Sequence, residues 1–106
     1  MDDDFLRACR TTDVAPGEMK LVDLGGVEAI VANLGGRYRA FGAVCPHEDG
    51  PLVEGELDGE VVTCPWHFTQ FNVLTGEVID GLTDEPIPVY EVRVEGDEVL
   101  VRMTRN

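Results

Sequence analysis

Residues 45–68 read CPHEDGPLVEGELDGEVVTCPWHF. This stretch holds two of the chain's three cysteines and both of its histidines, yet no lysine or arginine. Cys45 and His47 stand two residues apart, Cys64 and His67 stand three apart, and sixteen residues lie between His47 and Cys64. A tight loop at either spacing turns two side chains toward one point. Two such loops facing each other would supply two sulfur and two nitrogen ligands. A single cysteine is usually a small buried apolar residue, and a single histidine a satisfied polar one. Cys9, with no histidine near it, reads as such a packed thiol in the first strand. The four together do not, because each of the only two histidines lies within three residues of a cysteine.

Two metal chemistries use this ligand set. Zinc takes Cys2His2 tetrahedrally, usually from one pair of cysteines and one pair of histidines. Here each pair is mixed. A [2Fe–2S] centre with two thiolates on one iron and two imidazoles on the other is served by loops that each give one Cys and one His. The mixed pairs favour the iron–sulfur option, with a structural zinc module for protein interaction as the disfavoured alternative.

Outward from this stretch the chain reads as all-β. Glycine and proline recur every 8–12 residues, the spacing of short strands joined by turns. The expected strands are Phe5–Arg10, Met19–Asp23, Val27–Leu34, Tyr38–Val44, Val61–Cys64, Phe71–Val73, Val89–Glu95 and Val99–Met103. Gly25-Gly26, Gly35-Gly36 and Gly96-Asp97 suit hairpin turns. No 3.6-residue apolar period persists beyond about two turns. Residues 45–60 and 65–85 read as loop-rich segments inserted between strands.

At 106 residues the chain is read as a single domain, residues 1–106. It has no apolar run long enough to span a bilayer. Its first residues, MDDDFLRACR, lack the basic start and apolar stretch of a secretory signal. Three cysteines also fit a disulfide framework poorly. The expectation is a soluble cytoplasmic protein. The net charge is −13, and its distribution is uneven: residues 45–86 carry ten acids and no base, whereas residues 1–44 carry seven acids and five bases. Nothing here neutralises phosphates, so nucleic acid and anionic membrane surfaces are excluded as partners.

The pattern C-x-H-x16-C-x2-H resembles the signature of Rieske iron–sulfur proteins. Leu52, Gly55, Leu57-Asp58-Gly59, Val61-Val62, Cys64-Pro65-Trp66-His67, Phe71, Thr75-Gly76 and the segment from Pro86 to Val94 stand where Rieske ferredoxins have similar residues. The resemblance spans essentially the whole chain. It implies three antiparallel sheets with a two-loop cluster-binding subdomain at about residues 43–86, inserted in a β base domain. It implies one [2Fe–2S] cluster held by Cys45, His47, Cys64 and His67. The implied role is a one-electron carrier from a flavin-dependent NAD(P)H reductase to a terminal ring-hydroxylating oxygenase, docking near His47 and His67. The small subunit of assimilatory nitrite reductases has a similar fold and is the alternative reading.

The chain departs from the family at Phe68, where glycine often follows the second histidine. That change puts a backbone N–H bond to the cluster in doubt, and a larger side chain there could shield one cluster face. Trp66 reads as a packing aromatic beside the cluster. High-potential Rieske proteins resemble this one but carry an extra cysteine in each loop, joined as a disulfide; the corresponding residues here are Gly50 and Trp66. They also place a hydroxyl residue soon after the second histidine, where this sequence is read as having Phe68. Neutral imidazoles raise the potential into a range of about −150 to +300 mV. Absent hydrogen bonds and ten nearby acids both oppose the more negative reduced state, so the expectation is a carrier near the bottom of that range. A mononuclear oxygenase iron would need two more histidines and a carboxylate, and no dinucleotide fingerprint is present. The chain is therefore expected to relay electrons without being an enzyme itself.

Overall fold

The computed structural model of the chain describes residues 5–44, 50–66, 68–81 and 85–102. Cys45, His47 and His67 lie outside the described residues. The strands are β1 (Leu6–Arg10), β2 (Met19–Asp23), β3 (Glu28–Leu34), β4 (Arg37–Gly42), β5 (Glu56–Asp58), β6 (Val61–Thr63), β7 (Gln70–Asn72), β8 (Val78–Asp80), β9 (Val89–Glu95) and β10 (Glu98–Arg102). Two single-turn 3-10 helices, Thr11–Asp13 and Leu52–Glu54, complete the order. Among the described residues no helix is long and apolar enough to cross a membrane.

All eight expected strand segments are present; Met19–Asp23 and Val89–Glu95 match residue for residue, and the other ends shift by at most two residues. Val44 leaves β4 and pairs alone with Pro51. Strands β5 and β8 were not anticipated. Each is three residues long, too short for a period-2 pattern, and each is an edge of its sheet, where short charged strands resist further pairing.

The strands form a six-stranded antiparallel sheet in the order β1-β10-β9-β4-β3-β2 and a four-stranded one in the order β5-β6-β7-β8. The six-stranded sheet consists of two three-stranded halves that share β9. Val89 and Tyr90 pair with Phe41 and Ala40 of β4, while Glu91–Glu95 pair with β10. Counted by halves, these are the three antiparallel layers that the resemblance implies. Hydrogen bonding makes two of them continuous.

Strand β3 shows why the layers cohere. Its sequence, EAIVANL, is apolar at nearly every position, as befits a strand with no solvent face. Ala29 and Val31 enter a core with Cys9, Val14, Val22, Leu24, Ala40, Val99 and Val101. Ile30 and Ala32 enter a second core with Phe41, Ala43, Leu52, Val62, Cys64, Phe71, Val73 and Ile87. The period of two sends alternate residues to opposite faces, so the β3–β4 hairpin is the wall between two cores. Its turn, Gly35-Gly36, has φ of +66° and +105°, the doubly left-handed geometry of a two-residue hairpin. Asn33 closes the end of that hairpin: its Oδ1 accepts from Gly36 N–H at 2.7 Å and its Nδ2 donates to the Val14 carbonyl at 2.8 Å.

The four-stranded sheet lies in sequence between β4 and β9. Its two connections meet where Gly42 N–H donates to the Pro88 carbonyl at 2.9 Å, and Ile87 N–H donates to Gly76 at 2.9 Å. A Cβ on Gly76 would stand 2.1 Å from the Ile87 oxygen, so the return path needs glycine there.

Deleting most of Ile30, which is fully buried in the second core, should cost about 2–5 kcal/mol as Ile30→Ala. Leu21→Ala, at a side chain that is 42% exposed, should change stability by less than about 0.5 kcal/mol. Urea unfolding measures both. Burial pushes the Cys9 thiol above its ordinary range, and the negative charge of Asp13 adds to the rise. Burial also raises the Tyr90 phenol. A raised folded-state value means stability that is complete below the ordinary thiol pKa of about 8.5 and lost as pH climbs through the raised one. The urea midpoint should fall between pH 8 and pH 10, and by less in Cys9→Ala.

Candidate functional site

The segment from Ala43 to Gly55 is pinned at both ends of its ligand-bearing stretch. Val44 pairs with Pro51 as an isolated antiparallel bridge, and Leu52 N–H donates to the Ala43 carbonyl at 3.1 Å. Leu52, fully buried, drives the 3-10 turn into the core. That turn ends with Gly55 N–H on the Leu52 carbonyl at 3.0 Å. Cys45 and His47 belong to the stretch that this bridge closes.

The second loop follows β6. Cys64 is 1% exposed and packs into the core shared with Leu52 and Phe71. Its N–H donates to the Thr69 carbonyl at 2.8 Å, and its own carbonyl accepts from Phe68 N–H at 3.1 Å. Residues 64–69 are thereby drawn into a tight turn. Its cost appears at Phe68, which has φ of +63°, the one non-glycine residue with positive φ among those described. The left-handed region costs a residue with a Cβ about 1–2 kcal/mol. Glycine would suit the position better, which gives a physical reason for the family's habit. The Phe68 N–H is occupied by the Cys64 carbonyl, so it is committed within the loop.

The loops meet backbone to side chain. A Cβ on Gly50 would stand 2.6 Å from the Cys64 sulfur and 3.5 Å from Trp66 Cβ. A Cβ on Gly55 would stand 1.8 Å from the Thr63 carbonyl oxygen. Both glycines therefore exclude any side chain where one loop presses on the other. The 3.5 Å separation also falls in the Cβ–Cβ range of disulfides, about 3.5–4.5 Å. Positions 50 and 66 thus face each other, in keeping with the high-potential correspondence, and this chain fills the space with glycine and an indole.

Trp66 rests on Gly50 and keeps half of its surface in solvent. One reading needs correction. The hydroxyl that the sequence reading found missing is present one residue later. Thr69 is 1% exposed, and its side chain lies where a Cβ on Gly81 would come within 2.5–2.8 Å. Its signal in the sequence is a hydroxyl residue two positions past His67.

Among the sequence-predicted ligands, Cys64 is described and sits at the meeting of the two loops, its sulfur against Gly50. Cys45, His47 and His67 lie outside the described residues. The surroundings suit an iron–sulfur group: a buried thiol and a facing glycine that leaves its sulfur uncrowded. A groove of about 240 Å³ lies beside it, lined by Cys64, Pro65, Phe68, Thr63, Glu54 and Glu56. Gly50→Ala should lower the iron content of the purified protein at least severalfold, because the added methyl collides with the Cys64 sulfur. Iron analysis together with visible absorbance checks this, and unchanged iron would contradict it.

Comparison with known proteins agrees with this geometry. The Rieske [2Fe-2S] domain family matches residues 4–91. The biphenyl dioxygenase ferredoxin subunit of Pseudomonas sp. (strain KKS102) is 38% identical over 102 residues, covering 95% of this chain and 94% of that protein. Human apoptosis-inducing factor 3 is 34% identical over 97 residues, covering 92% of this chain but only 16% of that much longer protein. A chain of the solved complex of reduced oxygenase and oxidized ferredoxin in carbazole 1,9a-dioxygenase superposes with a TM-score of 0.89 at 33% identity, covering 99% of this chain and 98% of that one. The chain belongs to the Rieske [2Fe-2S] family and carries one Rieske-type cluster.

Proposed function

We propose that this protein is a one-electron carrier that accepts electrons from a flavin-dependent NAD(P)H reductase and passes them to a terminal ring-hydroxylating oxygenase. The observation that carries the reading is the contact of the two loops at Gly50, which sets the buried Cys64 sulfur against the loop that contains Cys45 and His47. Cys45 and Cys64 would bind one iron and His47 and His67 the other. When bound, the cluster supplies a site that takes up and releases a single electron.

The chain's own residues would do the rest. Leu52 and the bridge from Val44 to Pro51 hold the first loop against the core. The hydrogen bonds of Cys64 to Thr69 and Phe68 hold the second. The ten acids of residues 45–86 oppose an added electron, so the low midpoint, near the bottom of the family range, rests on charge. The acidic surface would steer the carrier toward basic patches on its partners, raising encounter rates more than affinity. Docking would centre on the outward edges of His47 and His67, as a small transient contact.

With both histidines taken by the cluster, the chain has none left for a mononuclear oxygenase iron. It would therefore relay electrons in the cytoplasm without itself turning over substrate. Relatives that are ferredoxin components favour the carrier over a nitrite reductase subunit.

Purified protein should be coloured and, once reduced, should give a low-temperature EPR signal; Cys64→Ser should lose both. A colourless protein with stoichiometric zinc would contradict the assignment. The midpoint should lie below zero, read by spectroelectrochemical titration. Electron-transfer rates to an oxygenase should drop severalfold as sodium chloride rises from about 0.05 to 0.5 M, because the Debye length shortens; salt-independent rates would count against steering.

A further inference from the structure

Phe68 bears two costs at once. Its backbone is left-handed, where glycine would be unstrained, and its ring is 72% exposed, more than any other large apolar side chain among the described residues. The fold leaves most of this side chain in water, at the edge of a groove that Pro65 and Cys64 also line. Trp66, 50% exposed, stands two residues before it, and Val44, 47% exposed, pairs with Pro51, the neighbour of the Gly50 on which Trp66 rests. Glu54 and Glu56 bound the groove on which Phe68 sits.

We propose that Phe68, with exposed Trp66 two residues before it, is an apolar anchor that inserts into a recess of the terminal oxygenase and helps decide which oxygenase this carrier serves. The proposal rests on the carrier reading and deepens it. Aromatic side chains with little entropy to lose dominate protein contacts when they fill a pocket, and charged groups collect at the rim. Here the rim is acidic, so the matching surface has an apolar recess framed by arginine and lysine. A second copy of this chain does not fit, because it would bring the same acids to the contact, at a net charge of −13 per chain. The left-handed backbone has a function in this arrangement: it leaves the ring exposed on a loop closed by the Cys64–Thr69 and Phe68–Cys64 backbone bonds.

The test uses the intact holoprotein and the terminal oxygenase and reductase of carbazole 1,9a-dioxygenase as probes. Phe68→Gly should keep its iron, melt no lower than the parent, and bind the oxygenase at least about tenfold more weakly. Phe68→Leu should stay within about threefold of the parent. Ile79→Ser, which removes another exposed apolar side chain, 51% exposed and on β8, should bind as the parent does. Unchanged binding by Phe68→Gly, or an equal loss in Ile79→Ser, overturns the proposal while leaving the carrier reading intact. So does a loss confined to the reductase, or a parent dimer in sedimentation that Phe68→Gly abolishes. A parent that cannot be reversibly reduced by one electron overturns the carrier reading, and the proposal falls with it.

Discussion

Both faces of β3 are buried, Ala29 and Val31 against one core and Ile30 and Ala32 against the other, so this strand has no surface left for water. Everything else in the molecule is arranged around that constraint. The half-sheet of β1, β9 and β10 closes one side of the wall, and the four-stranded sheet closes the other. Because Cys64 and Leu52 lie in the second of these cores, the two ligand-bearing loops are rooted in the same packing that holds the sheets together. Their positions are therefore set by close-packed apolar contacts, which do not yield easily.

Above that base the loops are held by a different kind of force. Backbone hydrogen bonds fold residues 64–69 back on themselves, and the 3-10 turn at Leu52–Glu54 does the same for the first loop. The loops then approach so closely that only glycine fits at positions 50 and 55. Missing side chains thus do as much for the site as present ones. The strain of that compact arrangement collects at Phe68, next to the position of the second histidine. Strain held at a functional loop persists when surrounding contacts over-determine it, and here the Cys64–Thr69 and Cys64–Phe68 bonds do so.

Charge adds a long-range layer to this local geometry. The acids of residues 45–86 are unopposed by any base within that segment, whereas Arg7, Arg10 and Lys20 gather together around the surface beside Cys9. On the proposed function, this asymmetry would bring the carrier to a basic partner with its cluster end forward. Exposed Trp66 and Phe68 would then supply the short-range contact that charge alone cannot make specific.

Much of this was legible in the chain itself. The mixed Cys/His pairs and their spacing define the cluster chemistry, because ligand type and separation are local properties. The two-sided burial of β3 follows from an unbroken apolar run, and the hairpin at Gly35-Gly36 from residues that tolerate positive φ. Strands β5 and β8 were not legible, because three residues at a sheet edge carry no period and acquire their conformation from the neighbour they pair with. The roles of Gly50 and Gly55 were hidden for a related reason: each depends on an atom of another loop or strand that packing brings against it. Sequence alone determined how the charge is distributed and which residues are the candidates to hold iron. Only the tertiary structure decided where side chains had to be absent and that the Phe68 ring points outward, because close approach and backbone strain exist only once separate loops are packed together.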